Sequence, residues 1–223
     1  SAGFLLSSLV FQLGYPYIDL DQYNQPHFSP AGDITFDLAA LTANVVAVVD
    51  EAVQAAHATG VEIVAVATCT FVTNVVGVDS RGAALTPLFT YAHPSSSAAA
   101  QTLRTELGRA GCNATHDRTG CVVHSSYLPA RFQWLAQHHP ELQTPALNWM
   151  SLGEYLLYRF TGIWSISYSA AAWTGLLDRR QLCWDQAWLT RLGLLEEQLG
   201  RLVNVAPGVI GLQPAWAKRW PML

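Results

Sequence analysis

One long apolar periodicity constrains this chain more than any other feature of its sequence. Between Leu38 and Ala58, apolar residues recur mostly at three- and four-residue steps, which predicts a helix with one buried face. Asp33 or Asp37 can cap its start, and Gly60 ends it. The stretch has the length of a membrane span, but polar residues interrupt it at Asn44, Asp50, Glu51, Gln54 and His57. We therefore expect a helix of a soluble protein rather than a membrane span.

Strand-like runs lie on both sides of this helix. Residues 4–13 and 17–21 are expected to form a hairpin, because a turn signal with Gly14 and Pro16 separates them. The β-branched run 62–69 predicts a buried central strand, and runs 75–79 and 85–91 predict two further strands that pair. Strands that alternate with helices indicate an α/β domain.

The second half of the chain is predicted to be mostly helical. A serine among residues 95–97 is expected to cap a helix that Gly108 or Gly111 ends. Ser151 and Glu154 have the spacing of a capping box in front of another helix. Further helices are expected after Pro129 and from Trp184 to Gly193, and the tail from residue 199 reads as irregular with short pieces. Trp173 and Trp184 are expected in the core.

Charge and cysteine content exclude several classes of protein. Charged residues make up 13% of the chain, about half of the roughly 25% usual in soluble domains. The net charge is −4, and no basic run is present, which argues against a nucleic-acid binder. Lys218 is the sole lysine, so a phosphate loop with the sequence G-x-x-x-x-G-K is absent. No two cysteines form C-x-x-C, which favours a reducing cytoplasm.

A local group of cysteines and histidines has two interpretations. Cys112, His116, Cys121 and His124 could supply four zinc ligands, but their spacing matches no common zinc finger. The alternative is a polar loop with two incidental thiols. G-x-S-x-G and G-x-G-x-x-G are both absent from the sequence. Residue chemistry alone therefore reveals no active site.

Three segments in order carry a resemblance to a known family. They read Arg-Thr-Gly-Cys-Val-Val-His-Ser-Ser-Tyr-Leu-Pro-Ala-Arg (118–131), Glu-Tyr-Leu-Leu-Tyr-Arg-Phe-Thr-Gly (154–162) and Tyr-Ser-Ala-Ala-Ala-Trp-Thr-Gly-Leu-Leu-Asp (168–178). Together they resemble the N-terminal lobe of the FGGY family of carbohydrate kinases. Residues 70–74 and 89–92 are most similar to its gluconate-kinase-like branch, next to xylulose-kinase-like members.

The resemblance implies a fold, an activity and partners. It implies a ribonuclease-H-like lobe of the actin and hexokinase type, with a mixed sheet and flanking helices. Sugar and MgATP then meet in a cleft between two lobes, and an aspartate of the second lobe acts as general base. Residues 1–223 are expected to be the N-terminal domain without its first strand and without the C-terminal ATP-binding lobe. The expected partners are a sugar or sugar acid, the C-terminal lobe and a second copy in a homodimer, with neither nucleic acid nor membrane.

The resemblance also places candidate sugar contacts in this chain, with departures from the family pattern. The candidate substrate-binding residues are Thr73, Asn74, Tyr91, His93 and Ser126. Thr73 stands where close relatives carry histidine, and His93-Pro94-Ser95 replaces Asp-Thr-Arg. The family's phosphate turn is expected at residues 2–5, where Phe4 and Leu5 offer no hydroxyl. No catalytic residue is assigned.

Structural roles remain open for each candidate. Thr73 and Asn74 could satisfy a turn, Tyr91 could pack in the core, His93 could be an ordinary loop residue, and Ser126 could cap the helix at Pro129. Arg118 and Arg131 are expected to be structural ion-pair partners. Two functions therefore remain: the sugar-binding half of a kinase, inactive alone, or a degenerate, non-catalytic module that binds a ligand or partner.

Overall fold

The computed structural model describes residues 27–64, 66, 68–204 and 211–223, which form helices and short strands. The helices are α1 Leu38–Thr59, α2 Ser96–Thr119, α3 Leu128–His138, α4 Leu152–Thr161, α5 Tyr168–Ala172, α6 Gln186–Leu192 and α7 Pro214–Arg219. The strands are β1 His27–Phe28, β2 Ile34–Phe36, β3 Val76–Val78, β4 Leu88–Phe89, β5 Asn148–Met150, β6 Ser165–Ser167, β7 Leu177–Asp178, β8 Cys183–Trp184 and β9 Arg201–Val203. The hairpin expected over residues 4–21 lies outside the described residues.

The strands pair in small sheets. β1, β2 and β4 form an antiparallel sheet, while β3 pairs with β5 and β7 pairs with β8, both antiparallel. β6 and β9 are parallel. The strand predicted over residues 75–79 is confirmed at β3, but its main partner is β5. The predicted partner 85–91 joins it through the bridge of Val75 to Phe89, through the Leu85 amide, which donates to the Gly77 carbonyl (2.8 Å), and through the Thr86 hydroxyl, which accepts from the Gly77 amide (2.9 Å).

Apolar side chains form two core clusters. The first joins α2, α3 and α6 to β7 and β8, and in it Phe132 and Trp149 pack edge to face with ring centroids 5.1 Å apart. The second packs α1 and α4 against β2, β3 and β4. Trp184 lies in the first cluster as predicted. The prediction for Trp173 is wrong: it is 53% exposed, because Ala171 is the residue of α5 that faces the core.

Local signals set most of the helix ends. The Asp37 carboxylate accepts a hydrogen bond from the Ala40 amide (2.9 Å), and Gly60 ends α1 in the left-handed conformation. At α4, the Ser151 hydroxyl accepts from the Glu154 amide, and the Glu154 carboxylate accepts from the Ser151 amide. The predicted capping box is therefore confirmed.

One predicted element is wrong. The described residues of the run 62–69 contain no strand, and Val64 is 87% exposed. A strand is hydrogen-bonded only through a neighbour, and no described residue pairs with this run. The helix end predicted at Gly108 is confirmed: the backbone there (φ 62°, ψ 179°) is non-helical, and a second helical stretch continues to Thr119. Its last turns are held by tertiary contacts, including an ion pair of 2.6 Å between Arg118 and Asp185.

Helix α1 is apolar along most of its length, but only some of its residues are buried in the core. Within the part of the chain that the structure describes, α1 is the one helix long and apolar enough, by length and composition, to cross a membrane. Core helices of soluble proteins satisfy the same criterion. Its outer face holds the C-terminal segment, because Asp50 accepts hydrogen bonds from Arg219 (2.6 and 2.9 Å) and from Trp220 (2.8 Å).

Candidate functional site

A tight turn before β3 places the first two candidate residues. Thr73 has a φ of +53°, a left-handed conformation that is an outlier for a β-branched residue and costs about 1–3 kcal/mol. Its hydroxyl has no hydrogen-bond partner among the described residues. Asn74 has a structural role: its side-chain oxygen accepts from the Leu152 amide (2.6 Å), and its amide group donates to the Phe71 carbonyl. The turn therefore ties α4 to β3 and leaves the Thr73 hydroxyl free.

The segment after β4 lies beside this turn. Val75 and Phe89 exchange both backbone hydrogen bonds (2.9 and 3.0 Å), so antiparallel geometry brings the flanking residues Thr73 and Tyr91 to the same end of the pair. Tyr91 is 54% exposed, which contradicts a role in core packing. Thr90 is buried instead.

His93 lies inside the protein. It is 3% exposed, and its ring packs edge-on against Trp134 and Phe89, with centroids 4.6 and 5.6 Å away. Its Nδ1 lies 3.0 Å from the Ser96 hydroxyl and 3.4 Å from the Asp33 carboxylate. His93 therefore lies in a loop, between β4 and α2, as the sequence allowed, but its side chain is buried.

Arg131 completes a buried polar network around His93. It is 1% exposed, and it donates to the Ser96 hydroxyl (3.0 Å) and to the Thr90 carbonyl (2.7 Å). Its Nη1 atom has no hydrogen-bond partner among the residues that the structure describes. Asp33 accepts hydrogen bonds from the amide and hydroxyl of Ser95, at 3.0 and 2.6 Å. Arg118 pairs directly with Asp185 as expected, but Arg131 makes no direct ion pair to a described carboxylate.

Burial sets the charges of this network. Burial and the charge of Arg131 lower the pKa of His93 to about 4, so the imidazole is neutral at pH 7. Burial also lowers the pKa of Arg131 to about 9, which leaves it protonated at pH 7. Burial opposes ionisation of Asp33, but hydrogen bonds from Ser95 and Ser29 outweigh it and hold the pKa of Asp33 below its usual value. The network thus contains one cation and one anion.

The start of α3 carries the last candidate. Ser126 does not cap α3: its hydroxyl lies 3.2 Å from His124 Nδ1, and the N-cap is Tyr127, without a side-chain cap. Leu128, two residues later, lines a cavity of about 20 Å³ together with Asn74. The start of α3 and Asn74 thus border one small cavity, and Arg131 of the same helix donates to the Thr90 carbonyl.

A second buried carboxylate lies beneath the same turn. Glu154 lines the small cavity, and its Oε2 accepts from the Ser151 amide (2.8 Å). Burial raises the pKa of Glu154 to about 7. The capping-box pattern revealed the helix start but not this burial. The roles of Asp33 and Arg131 have no local sequence signal, because the network joins residues far apart in the chain.

The four cysteine and histidine residues considered as zinc ligands lie within α2 and in the segment between α2 and α3. Cys112 and His116 lie on α2, Cys121 is buried and His124 is exposed. Over the described residues, no group of three or more His, Cys, Asp or Glu side chains could hold a metal ion.

Comparison with known proteins identifies the family. A family model described as the N-terminal domain of the FGGY family of carbohydrate kinases matches residues 21–222. The chain belongs to this family. The FGGY resemblance drawn from residues 118–131, 154–162 and 168–178 is therefore confirmed.

Individual relatives match more than half of this chain and are much longer than it. Gluconokinase of Bacillus licheniformis is 26% identical over 130 residues, which are 58% of this chain and 25% of that protein. Xylulose kinase of Streptomyces coelicolor is 28% identical over 137 residues, 61% of this chain and 28% of that protein. The chain thus matches only about a quarter of the length of these relatives.

Solved structures confirm the fold class. A crystal structure of Plasmodium falciparum glycerol kinase with ADP superposes with a TM-score of 0.80 at 14% identity, covering 88% of this chain and 40% of that one. The FGGY chain is therefore an α/β lobe of the actin and hexokinase type. The five predicted sugar contacts stay predictions.

Proposed function

We propose that this FGGY chain is the sugar-binding half of an ATP-dependent kinase that phosphorylates a hydroxyl group of a sugar or sugar acid. The observation that carries the proposal is that Thr73 and Tyr91 lie at the same end of the Val75–Phe89 bridge, while Leu128, just after Ser126, borders the same small cavity as Asn74. Backbone strain concentrates at functional sites, and Thr73 combines such strain with a free hydroxyl. A sugar hydroxyl can both donate to and accept from such groups.

The chain alone is proposed to be inactive. Phosphoryl transfer needs a base for the attacking hydroxyl and cations around the transferred phosphate. The family resemblance places the nucleotide site mainly in the C-terminal lobe, so ATP and Mg²⁺ are proposed to bind mainly to residues outside this chain. The C-terminal lobe is the proposed partner and the source of the general base, and the proposed location is the cytoplasm.

Binding and turnover measurements test this proposal. Calorimetry of the 223-residue chain with D-xylulose and D-gluconate is expected to detect binding of at least one, whereas a coupled kinase assay detects no turnover. Thr73→Val should weaken binding about two- to tenfold, the equivalent of one hydrogen bond. Thr102→Val, which removes an exposed hydroxyl on α2, is the matched control and should leave binding unchanged.

Two results would contradict the proposal. Equal effects of the Thr73 and Thr102 variants would remove Thr73 from the sugar site. Turnover above background by the 223-residue chain would show that it is more than half of an enzyme.

A degenerate, non-catalytic relative is the second candidate function. It is favoured by His93 and Arg131, whose polar groups contact other residues of this chain rather than a sugar cleft. Sequencing of the parent reading frame beyond Leu223 separates the two candidates. A second lobe with a Gly-Asp motif supports the kinase, and a reading frame without one supports the degenerate module.

A further inference from the structure

A second and larger cavity adjoins the packed rings of Phe132 and Trp149. Its volume is about 190 Å³, and it is bordered by α3, by residues 142–145 and by residues between 192 and 198. Phe132 and Trp149 line this cavity as well as the small cavity beside Asn74, so the two rings form a wall that both cavities share. None of the five candidate sugar contacts lines the larger cavity.

The floor of the larger cavity is apolar, and its mouth opens to solvent. Leu135, Leu192 and the two aromatic rings are buried, whereas Gln143 and Gly193 are exposed. No charged side chain of a described residue lines the cavity. A charged ligand would lose its hydration there without gaining a partner of opposite charge, so the lining favours a neutral ligand.

Gln198 holds two walls of the cavity together. Its side-chain amide donates to the carbonyls of Thr144 (3.0 Å) and Leu147 (2.9 Å), and its side-chain oxygen accepts from the Leu195 amide (3.0 Å). These bonds join the loop before β5 to the turn after α6. The polar atoms of Gln198 are thus occupied within the wall, and the cavity is built by the fold before any ligand arrives.

Two polar groups near the mouth have bonding capacity left for a ligand. The side chain of Gln143 makes no hydrogen bond to a described residue, and its Nε2 lies beside Gly193, 3.9 Å from where a Cβ would stand there. The Thr144 hydroxyl accepts from the Ala146 amide (3.4 Å), and its proton has no acceptor among the described residues. A ligand that matches this arrangement has an apolar body and one polar group at its outer end.

We propose that this cavity is a binding site for a small neutral aromatic molecule, one ring with a single hydroxyl group, whose ring packs against Phe132 and Trp149 and whose hydroxyl bonds to Gln143. An engineered apolar cavity of roughly 150 Å³ binds benzene. A volume of about 190 Å³ therefore admits such a ring with one substituent. Aromatic rings at the wall favour an aromatic ligand through edge-to-face contact. The site does not depend on the proposed sugar-kinase function.

Fluorine NMR of 4-fluorophenol with the 223-residue chain tests the proposal. The protein should broaden the ligand resonance, with a Kd on the order of 1 mM because the ligand has few atoms. Phenol should displace it, and benzoate should displace it at least about tenfold less well because its charge finds no partner in the cavity. Absence of broadening would overturn the proposal, as would equal displacement by benzoate and phenol.

A variant that fills the cavity tests the location. Ala136 lines the cavity from α3 and is half-buried, so Ala136→Phe places a ring in the space and should weaken 4-fluorophenol binding at least about tenfold. Ala114→Phe, at an exposed position of α2, is the matched control and should leave binding unchanged. Equal affinities of the two variants would overturn the assignment of the site to this cavity.

A surface variant covers the case in which Ala136→Phe does not fold. Gln143 is exposed, so Gln143→Ala leaves the core intact, and it should weaken 4-fluorophenol binding about two- to tenfold, the equivalent of one hydrogen bond. Binding of fluorobenzene, which has no hydroxyl, should not change. Gln137→Ala, an exposed glutamine of α3, is the control and should leave both ligands unaffected. An unchanged affinity of Gln143→Ala for 4-fluorophenol would overturn the proposed orientation and the ligand class with it.

Discussion

Two buried ionisable groups make the stability of this protein respond to pH in opposite directions. His93 has its pKa lowered from 6.5 to about 4 by burial and by the charge of Arg131. Glu154 has its pKa raised from 4.5 to about 7 by burial. Folding therefore favours the neutral form of both groups: the unprotonated base in His93 and the protonated acid in Glu154.

The sign of each contribution follows from proton linkage. Unfolded His93 takes up a proton below about pH 6.5 while folded His93 stays neutral until about pH 4, so stability is lost as the pH falls through that window. Unfolded Glu154 loses its proton above about pH 4.5 while the folded group keeps it until about pH 7, so stability is lost as the pH rises. Between about pH 4.5 and 6.5 the two slopes cancel.

Removing one group should expose the slope of the other. In Glu154→Gln, the free energy of unfolding is expected to fall by about 1.4 kcal/mol per pH unit as the pH drops from 6.5 to 4.5. In His93→Asn it should instead fall by a similar amount as the pH rises over the same range. The double variant should again be nearly level.

Urea unfolding followed by tryptophan fluorescence at several pH values measures these slopes. His57→Asn and Glu51→Gln, two exposed substitutions on α1, serve as controls and should keep the level profile of the original protein. A level profile for Glu154→Gln would refute the conclusion that the fold keeps His93 neutral. A level profile for His93→Asn would do the same for Glu154.

Gly77→Ala should destabilise the fold by about 1–3 kcal/mol in urea unfolding, because an added Cβ would lie 2.8 Å from the Leu147 side chain. Gly211→Ala is the control, since a Cβ added there meets nothing within 4 Å. Equal free energies of unfolding for the two variants would contradict the packing argument. Asp50→Ala should speed tryptic cleavage after Arg219, which loses its ion pair to α1; an unchanged rate would show that the segment is held elsewhere. Calorimetry of the chain with ATP should detect no micromolar binding, and such an affinity would contradict a nucleotide site located mainly in another lobe.

Features that depend on neighbouring residues in the sequence were predictable. The capping box of Ser151 and Glu154, the cap at Asp37 and the stop at Gly60 each act within a few residues. They therefore leave a signal in the sequence itself. Helices α2, α3, α4 and α6 could be predicted from such signals, whereas the short helices α5 and α7 were not predicted.

Features that depend on distant partners were not predictable. The run 62–69 has the composition of a buried strand, but composition does not reveal whether a neighbouring strand pairs with it. Gly108 was correctly predicted as a helix end, but the helical stretch that follows it to Thr119 is held by Arg118 and Asp185, 67 positions apart. The network of Asp33, His93 and Arg131 likewise depends on tertiary contacts, so the sequence indicated His93 as a ligand contact without indicating its burial.

The conformation of Thr73 also has a consequence for directed evolution. Glycine adopts a φ of +53° without the steric cost that a β-branched side chain carries. Selection of a library randomised at this position for thermal stability alone should therefore enrich glycine or asparagine. Selection of the same library for sugar affinity should retain threonine or serine. The residues recovered at position 73 would therefore show whether stability or sugar binding determines the residue found there.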